Sequence, residues 1–289
     1  MTRLVFGAMW LAHWLPLGVL AAIGNAIGSV AYWLMPERRR VARINLEKCF
    51  PQLTVAERER LARAHFRVFL RGFIEHALLW WAPRERIQRL IRIEGLERLQ
   101  ELAGRPVILV APHFVGLDAA YTRLGSEICI AGLYARQKNS FYDALLLRGR
   151  TRFGLSRAIP RQDGVRAVIA AIRTGVPFYY APDQDFGRRD AVFVPFFGVT
   201  AATITGVSRL AKLTGAYVVP CVTRILPGGA GYLVSVLPAL EGFPTTNVEA
   251  DTRRISALIE EQVLTMPEQY FWLHKRFKTR PSGEASFYA

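Results

Sequence analysis

Residues 4–35 contain no Asp, Glu, Lys or Arg, and no other stretch restricts the fold of this chain as strongly. The run is long enough to cross the hydrocarbon core of a bilayer, which takes roughly 20 apolar residues. Trp10, Trp14, Tyr32 and Trp33 lie toward its ends, where amphipathic rings favour the membrane–water interface. The apolar region of a signal peptide is shorter, and a buried soluble helix would need a partner on every face. Residues 1–36 therefore read as a membrane anchor and residues 37–289 as the domain it carries. Arg38, Arg39, Arg40 and Arg43, against Arg3 alone on the other flank, place that domain on the cytoplasmic side. Pro16, Gly18, Gly24 and Gly28 leave two geometries open, a straight span and a kinked or re-entrant segment.

The chain as a whole is basic. Lys and Arg number 38 against 23 Asp and Glu, so the net charge of +15 implies anionic partners: nucleic acid, an acidic protein, or an anionic membrane and its phosphorylated lipids. Cys49, Cys129 and Cys221 are widely spaced and odd in number, which fits neither a disulfide framework nor a zinc site. Histidines at metal-ligand spacing are lacking too, and no metal or cofactor is expected. Residues 54–81 have the pattern of an amphipathic helix, opened by Thr54 and Glu57 as a capping box. Its apolar side carries Leu61, Ala64, Phe66, Phe69, Phe73 and Leu78. Arg58, Arg60, Arg63, Arg67 and Arg71 form a basic side suited to anionic headgroups. Residues 83–102 continue as charged helical material.

The stretch 107–118 carries the candidate chemistry. A short apolar run reads as a buried strand, Pro112 and Gly116 punctuate its exit, and a helix follows from Asp118 to about Leu124. His113 falls on the turn and Asp118 in the first helical turn, so the carboxylate can reach back to one ring nitrogen and leave the other outward as a general base. The same spacing serves equally well for a helix cap with a satisfied histidine.

From there the pattern alternates. Strands are expected over 128–134, 176–181 and 192–197, and over 217–225 and 231–237 as a hairpin. Helices are expected over 141–152, 163–174, 203–213 and 247–266. Such alternation argues for an α/β fold with a mostly parallel mixed sheet flanked by helices, and sites in such sheets form beyond the carboxyl ends of strands. Arg136, Arg150 and Arg161 lie at strand or helix ends and form a candidate cradle for a phosphorylated substrate. Asp183, Gln184 and Asp185 occupy a polar loop suited to a metal, a sugar hydroxyl or an Asx turn. The aromatic run 192–197 fits plain core or an acyl tunnel. Residues 269–281 interleave aromatics with cations, compatible with a nucleic-acid, membrane or acidic-protein contact.

Taken together, the apolar N-terminus, His113-x4-Asp118, Gly149-Arg150-Thr151-Arg152, Tyr180-Ala181-Pro182-Asp183-Gln184-Asp185, the 192–197 run and the 269–281 block resemble the late-acting lipid A acyltransferases of Gram-negative bacteria, the lauroyl and myristoyl transferases. Many members of that family carry Glu at the position of Asp118, a longer side chain for the same task. The resemblance implies a glycerolipid acyltransferase-like fold, an inner-membrane address facing the cytoplasm, and acyl-acyl carrier protein as donor. It also implies a phosphorylated glycolipid acceptor, with His113 and Asp118 as a catalytic dyad. Arg136, Arg150, Arg161, Asp183 and Gln184 are then the expected substrate-binding residues, and no nucleic acid is expected as partner. Acceptors such as a lysophospholipid, an ornithine lipid or a glycosylated inositol lipid suit the same dyad. A membrane-tethered nucleic-acid-binding protein is the non-enzymatic alternative.

Overall fold

The computed structural model describes residues 2–289. The charge-free run forms two helices, α1 (Thr2–Ala12) and α2 (Leu17–Leu34), parted by a turn that ends at Pro16. Helices α3 (Pro36–Cys49) and α4 (Val55–Trp81) follow, the latter opened by the expected capping box: the Glu57 amide donates to Thr54 Oγ1 and the Thr54 amide to Glu57 Oε2. Next come α5 (Arg84–Leu90), β1 (Ile91–Glu94) and α6 (Leu96–Glu101), so a strand interrupts the expected helical stretch 83–102. The α/β region continues with β2 (Val107–Val110), α7 (Leu117–Leu124), β3 (Ile130–Tyr134), α8 (Ser140–Thr151), β4 (Ser156–Pro160), α9 (Gly164–Arg173) and β5 (Phe178–Tyr180). It ends with β6 (Ala191–Phe196), β7 (Val199–Ile204), α10 (Gly206–Thr214), β8 (Tyr217–Ile225), β9 (Tyr232–Val236) and α11 (Val248–Thr265).

Among the described residues, seven strands form one sheet in the order β1-β9-β8-β2-β5-β3-β4. Only the β8–β9 hairpin is antiparallel, so the sheet is the mostly parallel mixed one expected. Strand β2 lies between β5 and β8 with all four side chains sealed. Ile108 and Val110 join the core on one face, Val107 and Leu109 the core on the other. Burial on both faces explains why β2 reads as a continuous apolar run, and each such side chain contributes roughly 1.5–3 kcal/mol.

The 192–197 run belongs to a separate hairpin, β6–β7, turned at Phe197 and Gly198, both at positive φ as a primed turn requires. Strand β7 takes residues that the sequence pattern assigned to the helix over 203–213, and α10 begins only at Gly206.

Helix α2 lies along α4 at close range. A Cβ on Gly24 would stand 2.4 Å from Arg71 Cα, and one on Gly28 would stand 2.5 Å from Arg67 Cα. The missing side chains are what let the two backbones approach, a small-x-x-x-small seam. Leu17, Leu20, Ala21 and Tyr32 face inward from α2, whereas Val19, Ile23, Ile27, Val30 and Trp33 remain exposed. Among the described residues α2 is the one helix long and apolar enough to cross a membrane, and a third of it is buried against protein. The basic side expected on α4 departs from the pattern at Arg71, which is buried and paired with Glu75 at 2.6 Å. Phe73, expected inside, is exposed.

Candidate active site

The site is built by backbone register. Val110 of β2 pairs with Tyr180 of β5, and the Ala111 amide donates to the Tyr180 carbonyl at 2.9 Å. Both strands then run into the same exit, Ala111-Pro112-His113 on one and Ala181-Pro182-Asp183 on the other. Proline has no amide hydrogen to continue the ladder, so both chains leave the sheet at the same level. His113 and Asp183 thereby come to stand side by side.

Asp183 Oδ1 accepts the ring Nδ1–H of His113 at 2.7 Å, and Oδ2 accepts the His113 backbone N–H at 3.0 Å. An ionised carboxylate only accepts, so in neutral His113 the ring proton sits on Nδ1 and Nε2 is left as a base. Burial pushes the Asp183 carboxyl up, but His113 outweighs it and holds the group below its ordinary value. The C-terminal segment fixes the turn from the far side. The Phe271 amide donates to the His113 carbonyl at 3.0 Å, the Val115 amide donates to the Gln269 carbonyl at 2.8 Å, and Phe114 bridges to Tyr270.

His113 lines a cavity of about 970 Å³. Leu117, Leu133, Leu146, Val168, Phe178 and Leu210 give it apolar walls, and Arg150, Arg161, Arg189, Arg209 and Gln184 supply polar groups. Arg161 stacks over Phe186 at 4.7 Å. Arg209 pairs with Asp190 at 3.0 Å.

The expected bond between Asp118 and His113 is not formed. Asp118 lies on the same cavity, in the first turn of α7, but Arg150 Nη2 and Nε hold its Oδ1 at 2.7 and 3.2 Å, and His76 Nε2 holds its Oδ2 at 3.1 Å. Burial pushes the Asp118 carboxyl up, but Arg150 and His76 outweigh it and keep it far below the usual carboxylate range. The physical reason is positional: Asp183 already occupies His113 Nδ1, while α4 and α8 deliver two donors to Asp118.

Three further expectations change. Asp183, expected to meet substrate, sits behind His113 with 2% of its side chain exposed. Arg136 is exposed on a loop whose neighbours Ala135 and Gln137 line the cavity, and it does not itself line it. The 269–281 block is scaffold. Trp272 is fully buried there, and Arg276 donates to the Ala202 carbonyl (2.9 Å) and Thr203 Oγ1 (2.8 Å). Asp185 accepts from the Thr279 amide and hydroxyl at 2.6 and 2.8 Å, tying the polar loop to that block. Among the described residues no cluster of His, Cys, Asp or Glu fits a metal ion. His76 is the functional candidate that sequence reasoning missed. The signal for it was slight, a Glu75-His76 pair in the otherwise apolar, aromatic end of α4.

The model of the bacterial lipid A biosynthesis acyltransferase family matches residues 1–279. The chain belongs to this family. It is 35% identical to the lipid A biosynthesis lauroyltransferase of Escherichia coli (strain K12), over all of this chain and 94% of that one. To the lipid A biosynthesis palmitoleoyltransferase of the same organism it is 34% identical, over 98% of this chain and 92% of that one. It also aligns with the crystal structure of the 1-acyl-sn-glycerophosphate acyltransferase PlsC from Thermotoga maritima. That match has a TM-score of 0.40 and 14% identity, and covers 84% of this chain and 97% of the other. In this lipid A acyltransferase the His113 turn lies at the carboxyl edge of parallel strands, on a cavity with apolar walls.

Proposed function

We propose that this lipid A acyltransferase moves a fatty acyl group from the thioester of acyl carrier protein to the hydroxyl of a 3-hydroxyacyl chain on a lipid A precursor. The observation that carries this reading is His113, with Nδ1 held by Asp183 and Nε2 free at the wall of the 970 Å³ cavity. Nε2 takes the hydroxyl proton as the oxygen attacks the thioester carbonyl carbon. The carbon–sulfur bond then breaks, and the carrier thiolate leaves with the proton returned from the imidazolium. Asp183 orients the ring and stabilises its cationic form, the task first assigned to Asp118. Proton transfer of this kind contributes on the order of 10²- to 10⁴-fold.

Arg150, Arg161 and Gln184 line the cavity and are the proposed contacts for the precursor's phosphate or the developing oxyanion. The apolar walls suit an acyl chain. Relatives named for different chains match at nearly equal identity, so depth of this cavity, and not overall similarity, would select chain length. An acidic carrier protein suits a chain of net charge +15. The exposed apolar residues of α1 and α2, Leu4, Trp10, Leu11, Ile23 and Ile27 among them, would rest in the cytoplasmic leaflet of the inner membrane.

The test is incubation of the purified protein with several acyl-carrier thioesters and a lipid A precursor, read by mass spectrometry. An acylated precursor that disappears with His113→Ala is the expected result. Retained turnover in His113→Ala removes the base, and transfer only to another lipid alcohol replaces the acceptor.

A further inference from the structure

Both ring nitrogens of His76 face acceptors. Nδ1 lies 2.7 Å from the Gly72 carbonyl oxygen, one turn back on α4, and Nε2 lies 3.1 Å from Asp118 Oδ2. Neither a carbonyl nor an ionised carboxylate can donate, so a neutral imidazole would turn a bare lone pair toward one of them. Only the imidazolium, with an N–H at each position, satisfies both contacts. We propose that His76 is held as an imidazolium and acts as a positioning residue for acyl transfer: it anchors Asp118, and through Asp118 the guanidinium of Arg150. This deepens the function proposed above and rests on it.

The surroundings fit that charge state. On α4 itself, Glu75 and the buried Arg71 pair with one another, and Glu75 also accepts from the Tyr232 hydroxyl of β9. Asp118 and Tyr121 stand on α7, Arg150 and Tyr142 on α8, and Tyr179 on β5; His113 shares the cavity. The indole of Trp80 meets the His76 ring edge to face at 5.4 Å. Burial pushes the His76 ring toward neutrality, but Asp118 outweighs it and raises the group above its ordinary value. Two cations around one carboxylate leave the His76–Asp118–Arg150 cluster at net +1. Nε and Nη2 of Arg150 are spent on Asp118, which leaves Nη1 for an anionic substrate oxygen.

The consequence is an alkaline limit on activity that belongs to His76 and not to the base. When His76 loses its proton, one of its two contacts, to Asp118 or to the Gly72 carbonyl, loses its hydrogen and the cluster falls to neutral. A neutral His76 would let Arg150 swing with its carboxylate, and a substrate anion would meet a weaker, less fixed cation.

The experiment uses the full chain in detergent micelles with ¹⁵N-labelled histidine, of which the sequence has five. The expected spectrum of His76, assigned by its loss in His76→Gln, shows both ring nitrogens protonated at pH 7. Asp118→Asn is expected to move the loss of that imidazolium down by about one pH unit or more. In parallel, His76→Gln should lower kcat/KM at pH 7 roughly 10- to 100-fold and flatten the alkaline limb of its pH profile. A purely structural role would lower the profile without changing its shape. A neutral tautomer at pH 7, or an alkaline limb unchanged in His76→Gln, overturns the proposal. Because the spectra need no substrate, a failure to transfer acyl groups counts against the function proposed above and leaves the charge state of His76 separately decided.

Discussion

His113 is bound to Asp183 twice, through its ring Nδ1 at 2.7 Å and through its own backbone amide at 3.0 Å. A side chain gripped at both its ring and its backbone has little freedom to rotate, so the free Nε2 is aimed before substrate arrives. In that arrangement the carboxylate selects the tautomer of the proposed base as well as its direction.

Asp183→Asn therefore strikes the chemistry with little loss of shape. The amide can present its NH₂ to Nδ1 and favour the wrong tautomer. Turnover should fall on the order of 10²- to 10⁴-fold with binding of the lipid acceptor largely kept. Steady-state transfer assays beside acceptor-binding measurements check this, and near wild-type turnover would take Asp183 out of the mechanism.

Asp118→Ala should act mainly on stability and on substrate binding. It leaves Arg150 and His76 part-buried without the carboxylate that separates them, a loss of about 3 kcal/mol. Thermal unfolding in detergent should show a midpoint lower by several degrees. An unchanged midpoint would mean that the cluster does not hold α4, α7 and α8 together.

The pH dependence of folding follows from buried groups. Burial lowers His65 and His274 to about 4, below their ordinary histidine value. The unfolded chain protonates these rings first, so the stability they contribute is complete above about pH 6.5 and is lost as pH falls toward 4. The lowered carboxyls of Asp118 and Asp183 add a second loss below about pH 4, as each must be protonated at the expense of its partners. Denaturant midpoints measured from pH 8 to pH 3 should fall in both windows. A flat profile between pH 6.5 and 4 contradicts the burial of the two neutral rings.

Gly24→Ala is expected to cost about 1–3 kcal/mol, because the new methyl would meet the Arg71 backbone and push α2 away from α4. Gly7→Ala, whose Cβ would meet nothing within 4 Å, serves as the control and should be neutral or slightly stabilising. Equal unfolding midpoints for the two variants would show that the seam yields without cost.

Local patterns along the chain were enough for much of this architecture. The capping box announced α4, the apolar run announced β2, and the alternation of short strands with amphipathic helices announced a mostly parallel sheet, because each is written in residues a few positions apart. Patterns failed where a neighbour in space decided the outcome. Strand β7 displaced the start of α10 because it pairs with β6 across the Phe197–Gly198 turn. The aromatic and basic C-terminal block turned inward because β7 and the His113 turn needed its hydrogen bonds.

The residue types at the site, and the placing of His113 at a strand exit, were determined by the sequence alone. Which carboxylate serves that histidine was decided only in three dimensions. Asp118 is five residues away and on the next helix, yet Arg150 and His76 claim it. Asp183 lies 70 residues away and is brought alongside by the pairing of Val110 with Tyr180. Parallel strands join residues with no fixed separation along the chain, so spacing carries no trace of the contact.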